Sequence, residues 1–419
     1  MLLTNQATTT VFESAKGKNE KVLLVANTGW YLYNFRLPLL LALRERGAQV
    51  VLVSPWDKYV EKLQAEGFWW IDLDLVRRST NPFLELYTIF RLVLIYLVEK
   101  PDIVHHFTIK CVLYGTFAAI LAGVKNVVNA ITGLGYIFIN PSLKAKIIRL
   151  LTKPLYYFAL NAKRCKVIFQ NLDDLALLVR QGLATPEKSI LIRSSGVDSE
   201  RFRLSLPKLN VEEPIVLLAS RIVGDKGVYE YVEAAKWLKA QGYTAQFKLA
   251  GALYPGNPTA ISEESLVSWE SDGLVEWLGH VDNIEEVMAE ADIVVLPSHG
   301  GEGVPKILIE AAAMGKPIVA TDVPGCRDVV EVGVNGFLVP PKEFPPLAGA
   351  IETLLNDSKL RQKMGLIGRE KVIQEFDVKD VVNKTIDVYE QMGALNTAIS
   401  HTTQNIPPER DVSSLELKV

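Results

Sequence analysis

Residues Ile293 to Ala313 read IVVLPSHGGEGVPKILIEAAA and indicate the fold class. The first four residues are aliphatic, as in a parallel strand that is buried on both faces. Glycines at positions 300, 301 and 303 then indicate a loop, and Pro305 suits the first turn of a helix, where no N–H donor is needed. A buried strand, a glycine loop and a helix form the repeating unit of parallel α/β sheets.

The same alternation of short apolar runs and helical patterns extends from this stretch in both directions. The first half predicts strands at 21–26, 49–54, 102–105, 126–130, 166–169 and 189–192, with a helix at 35–46. The second half predicts strands at 215–219, 246–250, 275–278, 293–296, 318–320 and 337–339, with helices at 227–240, 284–289, 305–314, 346–355, 360–375 and 378–392. The predicted fold class is α/β, with two doubly wound, Rossmann-like domains that face each other across a cleft.

Residues 194–214 lack periodicity and mix Ser, Asp and Pro, which indicates a linker between the halves. We therefore expect an N-terminal domain over 21–200 and a C-terminal domain over 201–376. A last helix over 377–393 is expected to pack back toward the N-terminal domain. The polar segments 1–20 and 394–419 are predicted to be disordered.

Composition excludes several classes of protein. The 419 residues are 49% hydrophobic and 22% charged, as in a globular chain. Three separated cysteines and five histidines argue against a disulfide framework and a structural zinc site. The N-terminal residues resemble no secretory signal, so a cytoplasmic location is expected. Residues 83–98 are short for a membrane span and carry Glu85 and Arg91, so they predict a buried amphipathic helix.

Charge is distributed unevenly along the chain. The whole chain has a net charge of -3. The segment from Ile103 to Leu172, however, contains nine Lys and Arg residues and no Asp or Glu. Between Lys144 and Lys166 these cations alternate with aliphatic and aromatic residues. This composition fits either a solvated basic helix or a helix that lies on an anionic membrane, whereas no nucleic-acid-binding motif accompanies it.

Two loops of the second half carry groups suited to chemistry. Arg221 and Lys226 lie between a predicted strand and helix, where cations and free helix N–H groups favour a phosphate or diphosphate. In the other loop, Glu302 precedes a helix that contains Glu310 among apolar residues. Such carboxylates accept hydrogen bonds from sugar hydroxyls, and a buried one needs a partner.

The segment from Leu296 to Pro340 resembles the donor-binding segment of family 4 retaining glycosyltransferases of GT-B fold. The resemblance rests on Glu302 and Glu310 with seven residues between them, followed by Gly315-Lys316-Pro317, Pro324-Gly325 and Asn335-Gly336. In the N-terminal half, Asn27-Thr28-Gly29 and Thr132 to Tyr136 are similar to a subgroup that extends sugars linked to polyprenyl diphosphate, N-acetylgalactosaminyltransferases among them. Overall, the resemblance to the family covers residues 21–392.

The resemblance implies a role for each matching position. Arg221 and Lys226 would hold the diphosphate, Glu310 the ribose hydroxyls, and Glu302 the donor sugar. The remaining implied contacts are Gly303, Val304 and Pro305 with the donor sugar, Val281 near the base, Gly29 at the diphosphate, and His105, His106, Lys110 and Thr132 with the acceptor or a sugar. Because fixed cations and a helix N-terminus can stabilise the leaving diphosphate, no divalent metal is expected.

The implied function is transfer of a hexose or N-acetylhexosamine from a nucleotide sugar, with UDP expected, to a polyprenyl-diphosphate-linked sugar or another glycan acceptor. It would serve the assembly of a cell-surface polysaccharide or glycan. The enzyme would then be peripheral on the inner face of the cytoplasmic membrane, through Lys144 to Lys166. The chain departs from the subgroup at two places. Relatives usually have Arg at the position of Gly301, and they have a pair of aromatic residues at the positions of His299 and Gly300.

The chain was also compared with the sequence motifs of other enzymes. Asp72-Leu73-Asp74 matches the manganese-binding pattern of metal-dependent glycosyltransferases of another fold, but so short a pattern arises easily by chance. The first loop lacks Gly-x-Gly-x-x-Gly, and no P-loop pattern is present, which disfavours a dehydrogenase and a P-loop nucleotidase. A nucleotide-sugar epimerase of GT-B fold and a non-catalytic nucleotide-sugar-binding protein stay open as alternatives.

Overall fold

The computed structural model describes residues 20–395 except 77, 78, 80, 135–137, 139–141, 208, 210, 211 and 302, and the side chains of residues 144 and 145. The predicted disordered segments 1–20 and 394–419 therefore lie outside the described residues, apart from residues 20, 394 and 395.

The N-terminal half forms a parallel sheet with strand order β3-β2-β1-β4-β5-β6-β7. Its strands are β1 (Lys21–Val25), β2 (Gln49–Ser54), β3 (Trp69–Asp72), β4 (Ile103–Phe107), β5 (Asn126–Ile131), β6 (Cys165–Phe169) and β7 (Ser189–Leu191). Val22 of β1 lies opposite Val50 on one side and Ile103 on the other. The strand order therefore reverses between β1 and β4, which is where such sheets bind ligands beyond their carboxyl ends.

The second parallel sheet has the strand order β10-β9-β8-β11-β12-β13. Its strands are β8 (Ile215–Ala219), β9 (Gln246–Ala250), β10 (Glu276–Trp277), β11 (Ile293–Leu296), β12 (Ile318–Thr321) and β13 (Gly336–Val339). Its order reverses between β8 and β11, the two strands that precede the predicted site loops. The predicted fold class, two doubly wound α/β domains, is confirmed.

Helices cover both faces of each sheet. The N-terminal half contains α1 (Gly29–Glu45), α2 (Lys58–Ala65), α3 (Pro82–Glu99), α4 (Ile109–Ala122), α5 (Leu143–Leu160) and α6 (Leu172–Arg180). The second half contains α7 (Val228–Ala240), α8 (Glu263–Ser271), α9 (Ile284–Glu290), α10 (Lys306–Ala313), α11 (Cys326–Val329), α12 (Phe344–Asn356), α13 (Ser358–Glu375) and α14 (Val378–Gln391). Helix α1 begins well before residue 35 because the Thr28 hydroxyl caps it, accepting from the Tyr31 amide at 3.1 Å.

The first sheet has two distinct core layers. Helices α3, α4 and α5 share one apolar cluster with the sheet, whereas α1 and α14 share the cluster on the opposite face. Helix α14 buries Ile386 and Tyr389 in that second cluster, so the last helix among the described residues completes the core of the first domain.

The chain crosses between the domains twice, at neighbouring positions. The Val197 amide donates to the Phe376 carbonyl at 2.9 Å, and the Val378 amide donates to the Val197 carbonyl at 3.0 Å. Gly196 has φ +81°, and a Cβ there would lie 2.6 Å from Cα of Val378. Close approach of the two crossings thus requires glycine at this position.

The prediction of a buried helix at residues 83–98 is wrong for one of its faces. Helix α3 forms over Pro82–Glu99, and Leu92 and Tyr96 lie in the core. However, Phe83, Phe90 and Val98 are 80%, 57% and 75% exposed. No helix among the described residues is both long and apolar enough to cross a membrane.

Candidate active site

The loop after β8 holds two cations close to the start of α7. Arg221 is exposed, and its guanidinium lies 5.1 Å from the ring centre of Tyr254. Lys226 is half-buried and ends the short 3₁₀ turn Gly224–Lys226. Burial, together with the positive charge of Arg221, lowers the pKa of Lys226 to about 7. The loop therefore disfavours the charged form of Lys226 beside Arg221. An anion bound there would stabilise that charged form.

The loop after β11 lies directly against this cationic loop. The His299 amide donates to the Asp225 carbonyl at 2.9 Å, and the His299 ring lies 3.0 Å from Oε1 of Glu230. Gly227 has φ +75°, and a Cβ there would lie 2.0 Å from the carbonyl oxygen of Pro297. Glycine at this position thus permits the backbone contact that joins the two loops.

Glu310 lies inside α10 and is only 7% exposed, as its apolar neighbours predicted. Its Oε1 lies 3.6 Å from Nζ of Lys306, one turn earlier on the same helix. Burial raises the pKa of Glu310, whereas the charges of Lys306 and Arg201 act in the opposite direction. The buried carboxylate therefore has the partner that its burial requires, and Lys306 is a residue that the sequence analysis did not single out.

The start of α10 contacts the N-terminal domain at two points. The Gly303 amide donates to the Thr132 carbonyl at 3.0 Å, and Lys306 Nζ donates to the Asn34 carbonyl at 2.6 Å. A Cβ on Gly303 would lie 2.4 Å from Oε1 of Gln170. These contacts bring Thr132 and the donor loop together, so the predicted cleft is narrow at this point.

The other residues predicted to contact the donor differ in how deeply they are buried. Val304 and Pro305 are buried, and Pro305 caps α10 immediately before Lys306. Val281 is half-buried against the apolar cluster of the C-terminal sheet. Glu302 lies outside the described residues.

Gly29 opens helix α1 in the loop after β1. A Cβ there would lie 2.7 Å from both Oδ1 of Asp57 and Cγ2 of Val60. The contact that this glycine permits in the structure is thus with the start of α2 and not with the opposite domain.

The two histidines of β4 are core residues in this structure, with no exposed surface for the sugar contact that the resemblance implied. His106 donates from Nδ1 to Asn129 Oδ1 at 2.8 Å, and its Nε2 lies 2.9 Å from the Tyr96 hydroxyl. His105 lies on the opposite face of the strand, with Nδ1 2.5 Å from the Tyr389 hydroxyl of α14. Both rings are fully buried, and burial lowers the pKa of His106 to about 4.

Lys110, in the first turn of α4, is engaged by protein groups. Its Nζ donates to the carbonyl oxygens of Val76 and Ser79 at 3.0 and 2.7 Å and forms an ion pair with Glu85 at 2.7 Å. These contacts join α4, α3 and the segment after β3. In this structure Lys110 therefore connects elements of the domain, and a sugar would have to replace one of its three partners.

The described residues include no group of three or more His, Cys, Asp or Glu side chains that could hold a metal ion. Asp72 and Asp74, the candidate manganese pattern, are both exposed at the edge of the first sheet.

Comparisons with known proteins agree with this architecture. Residues 213–357 match the family model described as glycosyl transferases group 1, and residues 21–171 match glycosyl transferase 4-like. The chain is 30% identical, over 89% of its own length and 99% of the relative's, to N,N'-diacetylbacillosaminyl-diphospho-undecaprenol alpha-1,3-N-acetylgalactosaminyltransferase of Campylobacter jejuni. It is 26% identical to UDP-Gal:alpha-D-GlcNAc-diphosphoundecaprenol alpha-1,3-galactosyltransferase of Escherichia coli, over 70% of this chain and 76% of the relative.

Among solved structures, Anabaena HepE in complex with UDP has the same fold, with a TM-score of 0.71 at 19% identity over 88% of this chain and all of that chain. The relatives are transferases, which favours a transferase over the epimerase and the non-catalytic binding protein. The chain belongs to the group 1, family-4-like glycosyltransferases of GT-B fold.

Proposed function

We propose that this glycosyltransferase moves a hexose or N-acetylhexosamine from a nucleotide sugar to a sugar carried on polyprenyl diphosphate, with retention of the anomeric configuration. The observation that carries the proposal is the contact between the loop of Arg221 and Lys226 and the loop that leads into α10, the helix of Glu310. These loops follow β8 and β11, where the strand order of the second sheet reverses. Doubly wound sheets bind nucleotides in the crevice beyond the carboxyl ends of their strands, at the point where the strand order reverses.

The chemistry follows from the groups on this edge. Transfer breaks the bond between the sugar and the diphosphate, so negative charge develops on the leaving oxygen. Lys226, Arg221 and the N-terminus of α7 would stabilise that charge without a divalent metal. Glu310 would accept hydrogen bonds from the ribose hydroxyls, and Glu302 with the backbone of Gly303 would hold the donor sugar.

The choice of substrates is supported by the relatives. The Campylobacter and Escherichia coli enzymes are named for sugars on undecaprenyl diphosphate, and the latter also for UDP-galactose. HepE was crystallised with UDP. We therefore expect a UDP-sugar donor and a lipid-linked acceptor, met at the inner face of the cytoplasmic membrane.

The basic stretch Lys144 to Lys166 is proposed to hold the enzyme on that anionic surface. It includes α5, which carries Lys146, Arg149 and Lys153 and no acidic residue. Clustered cations beside exposed apolar side chains are typical of helices that lie on anionic bilayers.

The test is transfer from a panel of UDP- and GDP-sugars, with EDTA present, with and without a polyprenyl-diphosphate-linked sugar. We expect transfer that needs the lipid-linked sugar, is unaffected by EDTA and gives a product whose anomeric configuration, read by NMR, equals that of the donor. Loss of transfer on adding EDTA, or an inverted product, would contradict the mechanism. Binding without turnover would indicate a sensor, and an isomerised sugar an epimerase.

Matched variants test the site. Lys226→Ala and Glu302→Ala should abolish transfer while the protein stays folded, because the first removes a proposed diphosphate contact and the second a proposed contact with the donor sugar. Lys236→Ala is the control, since Lys236 is exposed on the same helix α7 and away from its N-terminus. Near-normal transfer by either site variant would refute the assignment.

A further inference from the structure

Helix α3 presents an uncharged apolar stripe to solvent. Five of its exposed apolar side chains recur every three or four residues, which places them on one face of the helix. These five are Phe83, Leu86, Phe90, Leu94 and Leu97, and Leu84, Tyr87 and Val98 are exposed beside them. The side chains that α3 buries lie on the opposite face, at Thr88, Leu92, Ile95 and Tyr96. A surface helix of a water-facing protein normally has polar residues where this stripe lies.

The charged residues of α3 do not interrupt the stripe. Glu85 is paired with Lys110 at 2.7 Å, and Glu99 is paired with Lys21 at 2.9 Å. Arg91 is half-buried on the flank of the helix. Each acidic residue is thus turned toward the protein, and the stripe contains no charged side chain.

The stripe continues onto the neighbouring helices. Helices α3, α4 and α5 cover the same face of the first sheet, since all three contribute to one core cluster. Ile120 and Leu121 are exposed at the end of α4. The exposed apolar residues of α5 are Leu143, Ile147, Leu150, Leu151, Leu155, Tyr157 and Phe158. A patch built from three helices marks an interaction surface rather than scattered surface hydrophobics.

The charge beside the patch indicates what covers it. The described cations of α5 are Lys146, Arg149 and Lys153, and no Asp or Glu occurs between Ile103 and Leu172. A two-fold contact between copies brings the same patch of each subunit together, so these cations would repel one another. An anionic bilayer instead offers hydrocarbon for the apolar stripe and negative headgroups for the adjacent lysines and arginine.

We propose that α3 inserts its apolar stripe into the bilayer and that α3 and α5 together form the membrane-docking surface, with α3 supplying affinity that does not depend on charge. The first turn of α3 lies at the carboxyl edge of the sheet, where Lys110 binds the segment after β3. The bilayer would then reach the mouth of the cleft. This placement rests on the proposed function, because it brings the diphosphate of a lipid-linked acceptor to that edge.

The test is co-sedimentation of the full chain with vesicles of phosphatidylcholine alone and with added phosphatidylglycerol, at low and high salt. The triple variant Leu86→Gln, Phe90→Gln, Leu97→Gln should lower partitioning onto both kinds of vesicle by at least about tenfold. Each substitution removes apolar side-chain area that the bilayer would otherwise bury. The double variant Arg149→Gln, Lys153→Gln should weaken binding to the anionic vesicles alone.

A matched control is available in the C-terminal domain. Val267, Val332 and Leu366 are 47–60% exposed, against 49–63% for the three α3 residues, and their change to Gln should leave partitioning unaltered. Unchanged partitioning of the α3 variant would overturn the proposal. So would a lipid-free dimer that the α3 variant dissociates, because the patch would then join two copies.

The docking proposal and the proposed function fail in different ways. Transfer to a short-chain, water-soluble prenyl-diphosphate sugar should be the same for the α3 variant and the native chain, since no bilayer takes part. Absence of that transfer in the native chain would refute the proposed function and leave the vesicle results interpretable.

Discussion

Nucleotide binding should weaken sharply above pH 7, because Lys226 must gain a proton when the diphosphate arrives. Burial and the nearby Arg221 charge lower the pKa of Lys226 from its usual 10.5 to about 7. A bound diphosphate stabilises the ammonium form and raises that pKa again, so binding takes up protons wherever the free protein has lost them. Affinity therefore falls as pH rises through 7 and above.

The size of the effect follows from the titration of a single group. At pH 7 about half of the Lys226 side chains are charged, and at pH 8.5 about 3% are, for a pKa of about 7. The dissociation constant for UDP should rise about 16-fold between these values, which corresponds to about 1.6 kcal/mol. The terminal phosphate of UDP is already largely ionised over this range, so the protein dominates the change.

The assay is isothermal titration calorimetry with UDP at several pH values, each in two buffers with different ionisation enthalpies. At pH 8.5 the native chain should take up close to one proton for each UDP bound. Lys226→Arg should bind with a dissociation constant that hardly changes with pH, since the guanidinium is not deprotonated in proteins. Lys236→Ala should behave as the native chain does. A pH-independent dissociation constant for the native chain, or an equal pH dependence for Lys226→Arg, would show that Lys226 does not take up the proton.

Three further changes test the site and the core. Glu310→Gln should raise KM for the nucleotide sugar roughly 10- to 150-fold in initial-rate kinetics, since a charged acceptor for the ribose is lost; an unchanged KM would exclude that role. Gly303→Ala places a Cβ 2.8 Å from the backbone carbonyl oxygen of Thr132, so the domains should separate, and an unaltered radius of gyration in X-ray scattering would contradict this. Asn129→Ala removes buried hydrogen bonds to His106 and Thr116, and urea denaturation should show a loss of about 1–3 kcal/mol, with a native-like midpoint as the contrary result.

Central strands were the most predictable elements. The predicted bounds of β2, β8 and β11 equal the observed ones, because a parallel strand covered on both faces reads as an unbroken apolar run. Edge elements were less predictable. Strand β10 is only Glu276–Trp277, shorter than the predicted 275–278, since it pairs on one side alone.

Burial by other parts of the chain could not be predicted locally. The apolar run of α3 predicts a helix correctly, but hydropathy does not distinguish a face that the protein covers from one that it leaves open. The resemblance implied ligand contacts for His105 and His106. Their actual partners, Tyr389 and Asn129, come from elements distant in sequence, and no spacing rule connects them.

The site loops were predictable in kind but not in their contacts. Gly, Lys, Arg and Glu at strand ends indicated a phosphate and sugar site, and the structure brings these loops together. The spacing of Lys306 and Glu310 by four residues on a helix was a readable signal for their ion pair. The contact of Gly303 with Thr132 joins two domains and has no local signature.

The paired crossings at Val197 and Phe376 make the first domain discontinuous along the chain. Its core needs α14, which follows the whole second domain, so residues 20–200 alone would lack Ile386 and Tyr389 from the apolar cluster that α1 shares with α14. Recombination between relatives would therefore have to replace residues 215–375 as an internal cassette, held at two adjacent joints. A chimera with one joint would combine the last helix of one parent with the sheet of another, and complementary packing there would limit which parents are compatible.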